Sequence, residues 1–545
     1  MSLFFLSNNR LSAEAAKKRW IHVYKSAEIR EIEDGFFLTV TNCFRKKNHV
    51  YQKTEFGEFF GFGTFFSEKG FHEKAFNSNL INFSESDAKE IFGHYVFLIK
   101  KGNLLRIVTD PLGLINVFWS RDGDEFAVSN DILSVAASRK DLKISALGTQ
   151  QFVVAQSTLG KTTFFEEVHR LRYRYELQLS RNILSEVEFY RNKPEKLSID
   201  EYLDRINKYF KMVANYDGII GTDLSAGYDT RLIASCARPH IKNLNGISND
   251  NKFDGGVDVA IEIEIAKKLK IPIEIIEREK DVPFDELKML HGLSAGRDII
   301  GSRYWMDFQS KKYLKNDLML GGYGGEVLRA KYATFKDFED FCDKYYHGRF
   351  LLNWKLGDAY KKFIQSSKTT IENECSEDSI TTRSQLSNFW YAVDRMRIWG
   401  GSANLGFMIF GDRLHPFMDW NLMGPIFAFP VEELQGAKLQ AMIIEHFAPG
   451  LMAVPINPSA KVTIYSRTVK LFSRVLSKIR IKKLQNLHQV YKIIPRNKIN
   501  QKILQESGFS MSHLEVTNTT FLTRFLTVSR ALDCSNDMKT LRETK

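Results

Sequence analysis

The sequence predicts an α+β chain that becomes α/β: a strand-rich first part, then a parallel sheet with helices, then a mostly helical end. Three observations carry this. Apolar residues alternate along residues 1–190, strand and helix patterns exchange regularly from about 200 to 330, and two glycine-bearing turns each follow a short strand-like run.

Runs such as Phe36-Phe37-Leu38-Thr39-Val40 and Leu104-Leu105-Arg106-Ile107-Val108 suit pleated, half-buried strands. The polar stretch Arg191-Asn192-Lys193-Pro194-Glu195-Lys196 then reads as a linker. After it come a strand, turn and helix over 218–237, a strand at Asn243-Leu244-Asn245-Gly246-Ile247, a helix carrying Ile261, Ile265 and Leu269, and a strand at Ile273-Glu274-Ile275-Ile276. Such alternation implies a parallel sheet that takes ligands at the carboxyl ends of its strands. Beyond 330 the patterning is helical. The expected domains are 1–190, 200–465 and a basic, mostly helical extension at 466–545, where Phe472, Val475, Leu476 and Ile479 form an apolar stripe beside Lys470, Arg474, Lys478 and Arg480. A solvated helix face explains those charges; docking to an acidic partner, a membrane surface or a leader peptide is the alternative.

At 545 residues and 43% hydrophobic content, the chain can bury two or three cores. No apolar run reaches the roughly 18 residues that span a bilayer. The opening Leu3-Phe4-Phe5-Leu6 is too short for a signal peptide and lacks a basic flank, so a cytoplasmic location is expected. Cys43, Cys236, Cys342, Cys375 and Cys534 show neither disulfide nor zinc spacing. The net charge of +12 is carried largely by the C-terminal extension, and the 42 phenylalanines read as core packing rather than a base-stacking platform. The scattered histidines form no ligand cluster and receive no role.

The most informative stretch is Leu224-Ser225-Ala226-Gly227-Tyr228-Asp229-Thr230, a turn between a strand and a helix. Backbone N–H groups at such a helix start, with the positive end of the dipole, favour an anion such as pyrophosphate. Gly227 is expected to use backbone angles closed to other residues, and Ser225 and Thr230 to add hydroxyl donors. Asp229 would repel phosphate, so its sensible role is to ligate a Mg²⁺ that bridges carboxylate and phosphates. Ala226 fits only at negative φ.

The second turn, Leu320-Gly321-Gly322-Tyr323-Gly324-Gly325-Glu326, follows Asp317-Leu318-Met319-Leu320. Four glycines around one tyrosine imply a backbone that approaches something large. Together the two turns resemble those of the asparagine synthetase family and its relatives, the β-lactam synthetases and lasso-peptide cyclases, whose loops read Ser-Gly-Gly-x-Asp-Ser and Ser-Gly-x-Gly-x-Asp. Here Ala226 replaces a glycine and Glu326 replaces the second Mg²⁺-binding aspartate. The resemblance extends to Gly93-His94-Tyr95-Val96-Phe97-Leu98-Ile99, Asp110-Pro111-Leu112-Gly113, Phe126-Ala127-Val128-Ser129-Asn130-Asp131, and Arg413-Leu414-His415-Pro416-Phe417-Met418-Asp419, with Lys438 and Lys461 near the family's two C-terminal lysines.

The resemblance implies an N-terminal Ntn-hydrolase-like αββα sandwich, a degenerate class II glutamine amidotransferase, followed by a pyrophosphate-loop α/β synthetase domain. Glutamine-using members begin with a cysteine nucleophile; this sequence begins Met1-Ser2-Leu3-Phe4, and the expectation is a first domain without glutaminase activity. The implied activity is an ATP-dependent, AMP-forming amide ligase that uses ATP and Mg²⁺. Its substrates would be a small-molecule or peptide carboxylate and an amine or ammonia. Candidate nucleotide contacts are Leu224, Ser225, Ala226, Gly227, Tyr228, Asp229, Thr230, Gly246 and Gly322; candidate metal ligands are Asp229 and Glu326. Tyr323 stands where β-lactam synthetases carry a catalytic tyrosine, and is the candidate base, with Asp394 to orient it. Lys461, and Lys438 as second choice, would stabilise negative charge on the adenylate and the tetrahedral oxyanion. A glutamine-hydrolysing asparagine synthetase and a non-catalytic nucleotide-binding scaffold are the alternatives. The amidotransferase-like first domain that the resemblance implies argues against a nucleic-acid partner, and a homodimer is left open.

Overall fold

The computed structural model describes residues 3–456, leaving out 22–26, 33, 42–48, 76–79, 156, 181–182, 191–193, 250–256, 277–315, 334, 337, 342–363, 366, 369–382 and 409–410. The first half builds two antiparallel sheets. One runs His169–Arg170, Phe118–Asp122, Glu125–Ser129, Phe4–Ser7, Phe36–Thr41, Ala27–Ile32 in spatial order. The other runs Ile183–Glu188, Tyr175–Ser180, Leu104–Thr109, Phe92–Lys101, Gly57–Ser67, His49–Thr54, with Gly70–Phe71 also paired to Gly57–Ser67.

Period-two alternation decides what each strand faces. Phe60, Phe62, Val96 and Leu98 point into the layer between the sheets, where Phe62 stacks on Phe4 at 5.0 Å. Their neighbours Phe59, Phe65, Phe97 and Ile99 fill the opposite face. The first sheet's outer face carries the helix Arg10–Ile21, where the Thr39 hydroxyl donates to the Ala13 carbonyl at 3.0 Å. Over the second sheet lie short helical turns, His72–Ala75, Leu80–Asn82 and Glu85–Ala88. This is the expected four-layer sandwich, with one outer layer thin among the described residues.

The second half begins with the helix Ile199–Val213. Ser198 and Glu201 form a reciprocal capping box at its start, and Tyr202, Ile206, Tyr209, Phe210 and Val213 form its buried stripe. A five-stranded parallel sheet follows, in the order Ile273–Ile276, Asn245–Asn249, Ile220–Asp223, Leu318–Leu320, Asp412–Leu414. The three strands nearest the switch are buried almost throughout, as parallel strands covered on both faces must be. The chain starts at Ile220–Asp223, adds two strands on one side, then returns to the other side with Leu318–Leu320. That reversal opens a crevice at the carboxyl ends of these two neighbours.

The helical run expected beyond 330 is present. Helix Arg383–Trp390 continues without a break into a ten-residue π-helix, Tyr391–Gly400, and then into Gly401–Met408. The run fastens the two halves together. Arg395 donates to the Ala155 carbonyl at 2.5 Å and the Ser157 hydroxyl at 2.8 Å, Arg397 donates to the Leu171 carbonyl, and Gly401 packs so closely on the Leu114 carbonyl that a Cβ would lie 2.1 Å from it. Asp419 completes the junction by accepting from the Gly93 N–H at 2.6 Å. The extension at 466–545 lies outside the described residues. Among the described residues, no helix is long and apolar enough to cross a membrane.

Candidate functional site

Both glycine-bearing turns leave the carboxyl ends of the two strands that flank the crevice. The first is folded by its own polar groups. The Ser225 N–H donates to Thr230 Oγ1 at 2.9 Å, the two hydroxyls pair at 2.7 Å, and the Gly227 N–H reaches Ser225 Oγ at 3.3 Å. Helix Tyr228–Ala237 starts directly afterwards, with Gly227 as an N-cap that has no side chain to bind the first-turn N–H groups. Those donors are what an anion would satisfy.

Gly227 corrects the expectation for it: φ is −80° and ψ 178°, angles open to any residue, because an N-cap is extended. Ala226, by contrast, meets its condition, since it is not among the residues at positive φ. Leu224 and Gly246 pack against each other; a Cβ on Gly246 would lie 2.4 Å from Leu224 Cδ1. The Leu224 N–H also donates to the Ile247 carbonyl at 2.7 Å.

The second turn is glycine-rich because protein crowds it. A Cβ on Gly325 would lie 2.4 Å from Asp229 Oδ1, one on Gly322 3.0 Å from the Thr230 N, and one on Gly324, at φ +92°, 2.3 Å from the Phe417 carbonyl. The large object anticipated beside this backbone therefore includes the first loop itself. Gly321 lies against the His415 ring, to which a Cβ would approach within 2.3 Å.

Asp229 is held on both carboxylate oxygens. Arg329 Nη2 donates to Oδ2 at 2.9 Å, and Gln440 Nε2 to Oδ1 at 2.9 Å. Gln440, buried on the helix Lys438–Phe447, also donates to the Gly325 carbonyl at 2.8 Å and so ties the loops together. Burial raises the Asp229 carboxyl, and Arg329 pulls it back down. Glu326 is raised as well, by burial and then by the Asp229 charge; it accepts from the Tyr391 hydroxyl at 3.3 Å, and its Oε2 is buried without a partner. Two carboxylates from separate loops, Asp229 close enough for its charge to raise Glu326, with one orphaned oxygen, match the hard oxygen donors that Mg²⁺ takes. The residues present fit such an ion.

A second polar network lies behind Tyr323. The tyrosine ring stacks on His415 at 4.4 Å and 15°, with Trp399 at 6.1 Å. His415 Nδ1 accepts from the Tyr323 N–H at 3.4 Å, and its Nε2 lies 3.4 Å from Arg413 Nε and 3.1 Å from Asn404 Oδ1. Burial, Arg413 and His94 all push the His415 pKa well down and keep it neutral. Arg413 pairs with Asp223, the last residue of the strand feeding the first loop.

Asp394 does not join this group. It is buried on the π-helix, where Oδ1 accepts from the Gly160 N–H at 2.8 Å and burial pushes its pKa up to about 6. No hydrogen bond joins it to Tyr323 among the described residues, because its side chain faces the N-terminal half. Lys438 is exposed and donates to the Glu432 carbonyl at 2.9 Å. Lys461 lies outside the described residues. The segment leading toward it is anchored by Arg231, which donates to the carbonyls of Val454 and Pro455, each at 2.7 Å.

Sequence reasoning missed Arg329, Gln440, His415 and Arg413. Only the last two lie in a segment it had singled out, and there the resemblance drew attention to the stretch as a whole.

No family model and no curated protein matches this chain. Solved structures similar to it include the allosteric regulatory enzyme of purine biosynthesis, with 8% identity, 50% of this chain and 80% of that one covered, and a TM-score of 0.23. Another is the glutamine phosphoribosylpyrophosphate amidotransferase from B. subtilis complexed with ADP and GMP, with 10% identity, 60% and 77% covered, and a TM-score of 0.23. A third is the NH3-dependent NAD synthetase from Campylobacter jejuni, with 14% identity, 33% and 96% covered, and a TM-score of 0.19. The fold therefore rests on the sheet order of this chain itself.

Proposed function

We propose that the chain is an ATP-dependent, AMP-forming amide ligase. The observation that carries this reading is the convergence, at the reversal of the parallel sheet, of an uncapped helix start at Gly227 with the two carboxylates Asp229 and Glu326, the charge of the first raising the second.

The triphosphate would lie on the first-turn N–H groups of helix Tyr228–Ala237, with Ser225 and Thr230 exchanging their mutual hydrogen bond for phosphate oxygens. Asp229 and Glu326 would hold Mg²⁺, which supplies positive charge to the departing pyrophosphate. A substrate carboxylate attacks the α-phosphorus, pyrophosphate leaves, and an acyl-adenylate forms. An amine then attacks the acyl carbon, AMP leaves with the electron pair of the broken C–O bond, and an amide remains. The proton lost by the amine needs an acceptor near the acyl group. Tyr323 is proposed for that role, with its ring fixed by the His415 stack rather than by Asp394. Lys461 is proposed to stabilise the charge on the adenylate.

The test is exchange of labelled pyrophosphate into ATP with a panel of carboxylic acids, with ammonia and glutamine compared as nitrogen sources in product assays. Exchange that depends on one class of acid supports the ligase. Nucleotide binding without exchange for any acid favours the scaffold, and absence of both ends the proposal.

A further inference from the structure

The Asp229 carboxylate, expected to meet a metal ion, is already paired in this structure with a cation from the chain itself. Arg329 belongs to the one-turn helix Val327–Arg329, three residues after Glu326, and its Nη2 lies 2.9 Å from Asp229 Oδ2. The pair is about three-quarters buried, with side-chain exposures of 23% and 27%, so water screens it weakly. Its charge reaches both acids, lowering Glu326 as well as Asp229. The surroundings are unfinished. Glu326 Oε2, Arg329 Nε and Gln440 Oε1 are all buried without a hydrogen-bond partner, and such groups cost free energy until something satisfies them.

We propose that Arg329 is a built-in counter-cation: it holds Asp229 in the free protein and yields it to a divalent cation arriving with nucleotide, then turns its guanidinium to the polyphosphate. The inference rests on the ligase reading. The ion and the guanidinium compete for one carboxylate, since two cations on the same oxygens repel. A phosphate chain relieves the competition by offering the displaced guanidinium an acceptor of bidentate geometry. Metal and nucleotide should therefore bind cooperatively, and Arg329 is the residue that couples them.

The experiment titrates the full chain with Mn²⁺, followed by electron paramagnetic resonance, with and without a non-hydrolysable ATP analogue. Wild type, Arg329→Lys and Arg329→Met are compared, and circular dichroism confirms that each is folded. Without nucleotide, Arg329→Met should bind Mn²⁺ about tenfold more tightly than wild type, a factor worth ~1.4 kcal/mol. The analogue should tighten Mn²⁺ strongly in wild type and much less in the Met variant, with the Lys variant between them. Unchanged or weaker Mn²⁺ binding in a folded Arg329→Met protein overturns the inference alone, provided wild type binds both ligands. If wild type binds neither Mn²⁺ nor the analogue, the ligase reading falls and takes this inference with it.

Discussion

In the loop at 224–230, Gly227 adopts φ −80° and ψ 178°, open to any residue, whereas in the loop at 321–326 Gly324 sits at φ +92° and Gly325 lies so near Asp229 Oδ1 that no methyl group fits between them. The first loop takes its shape from hydroxyls bonding its own backbone; the second takes its shape from what it is pressed against. Glycine therefore marks a ligand approach in neither loop by itself. In the first it is the N-cap that leaves helix donors uncovered, and in the second it lets Asp229, Gln440 and Phe417 come close enough to lock one loop to the other.

Substitutions separate these two uses of glycine. Gly325→Ala places a Cβ 2.4 Å from Asp229 Oδ1 and 2.7 Å from Asp229 Cβ, so backbone or carboxylate must move. Denaturant unfolding should show a loss of about 3 kcal/mol, at the upper end for overpacking, and a variant as stable as wild type would show that the loops are not braced on each other. The next effect tests the mount of the second loop. Asp419 ends the segment that touches Gly324, and burial pushes its pKa up to about 6 although Gly93 and Asn421 donate to it. A carboxyl protonated more readily when folded contributes stability that is complete below its unfolded pKa of about 3.9 and is lost as pH rises through about 6. Wild type should thus lose stability relative to Asp419→Asn between about pH 4 and 7, seen as a widening gap between their melting temperatures; a constant gap contradicts this. The smallest effect belongs to Gly227→Ala. Its backbone angles suit alanine, and the loss at an N-cap should be about 0.5 kcal/mol, with a loss as large as that of Gly325→Ala erasing the contrast between the loops.

Much of the fold was legible. The runs Phe36-Phe37-Leu38-Thr39-Val40 and Leu104-Leu105-Arg106-Ile107-Val108 predict strands, and the chain forms strands there, Phe36–Thr41 and Leu104–Thr109, with Leu38, Val40, Leu105 and Ile107 in the layer between the sheets. Helix Val257–Leu269 and strand Ile273–Ile276 match the periods that predict them. Strand Asp412–Leu414 was not legible, since three residues, two of them charged, carry no period; its burial comes from neighbours distant in sequence. In the site, Asp229 and Glu326 could be named from their loops. Arg329 and Gln440 could not, because an arginine on a one-turn helix and a glutamine on an amphipathic one look like surface residues until the fold brings them to Asp229. Asp394 shows the converse. Its carboxylate looked available, but the π-helix turns it toward Gly160.

The most direct measurement is calorimetric titration of ATP, with Mg²⁺ present, into the wild-type chain and Asp229→Asn, a variant that keeps the size of the side chain and one of the two oxygens to which Arg329 and Gln440 donate. The account predicts saturable binding by wild type and at least a tenfold weaker affinity in the variant. Equal affinity in the two proteins, or no heat from wild type, would contradict it.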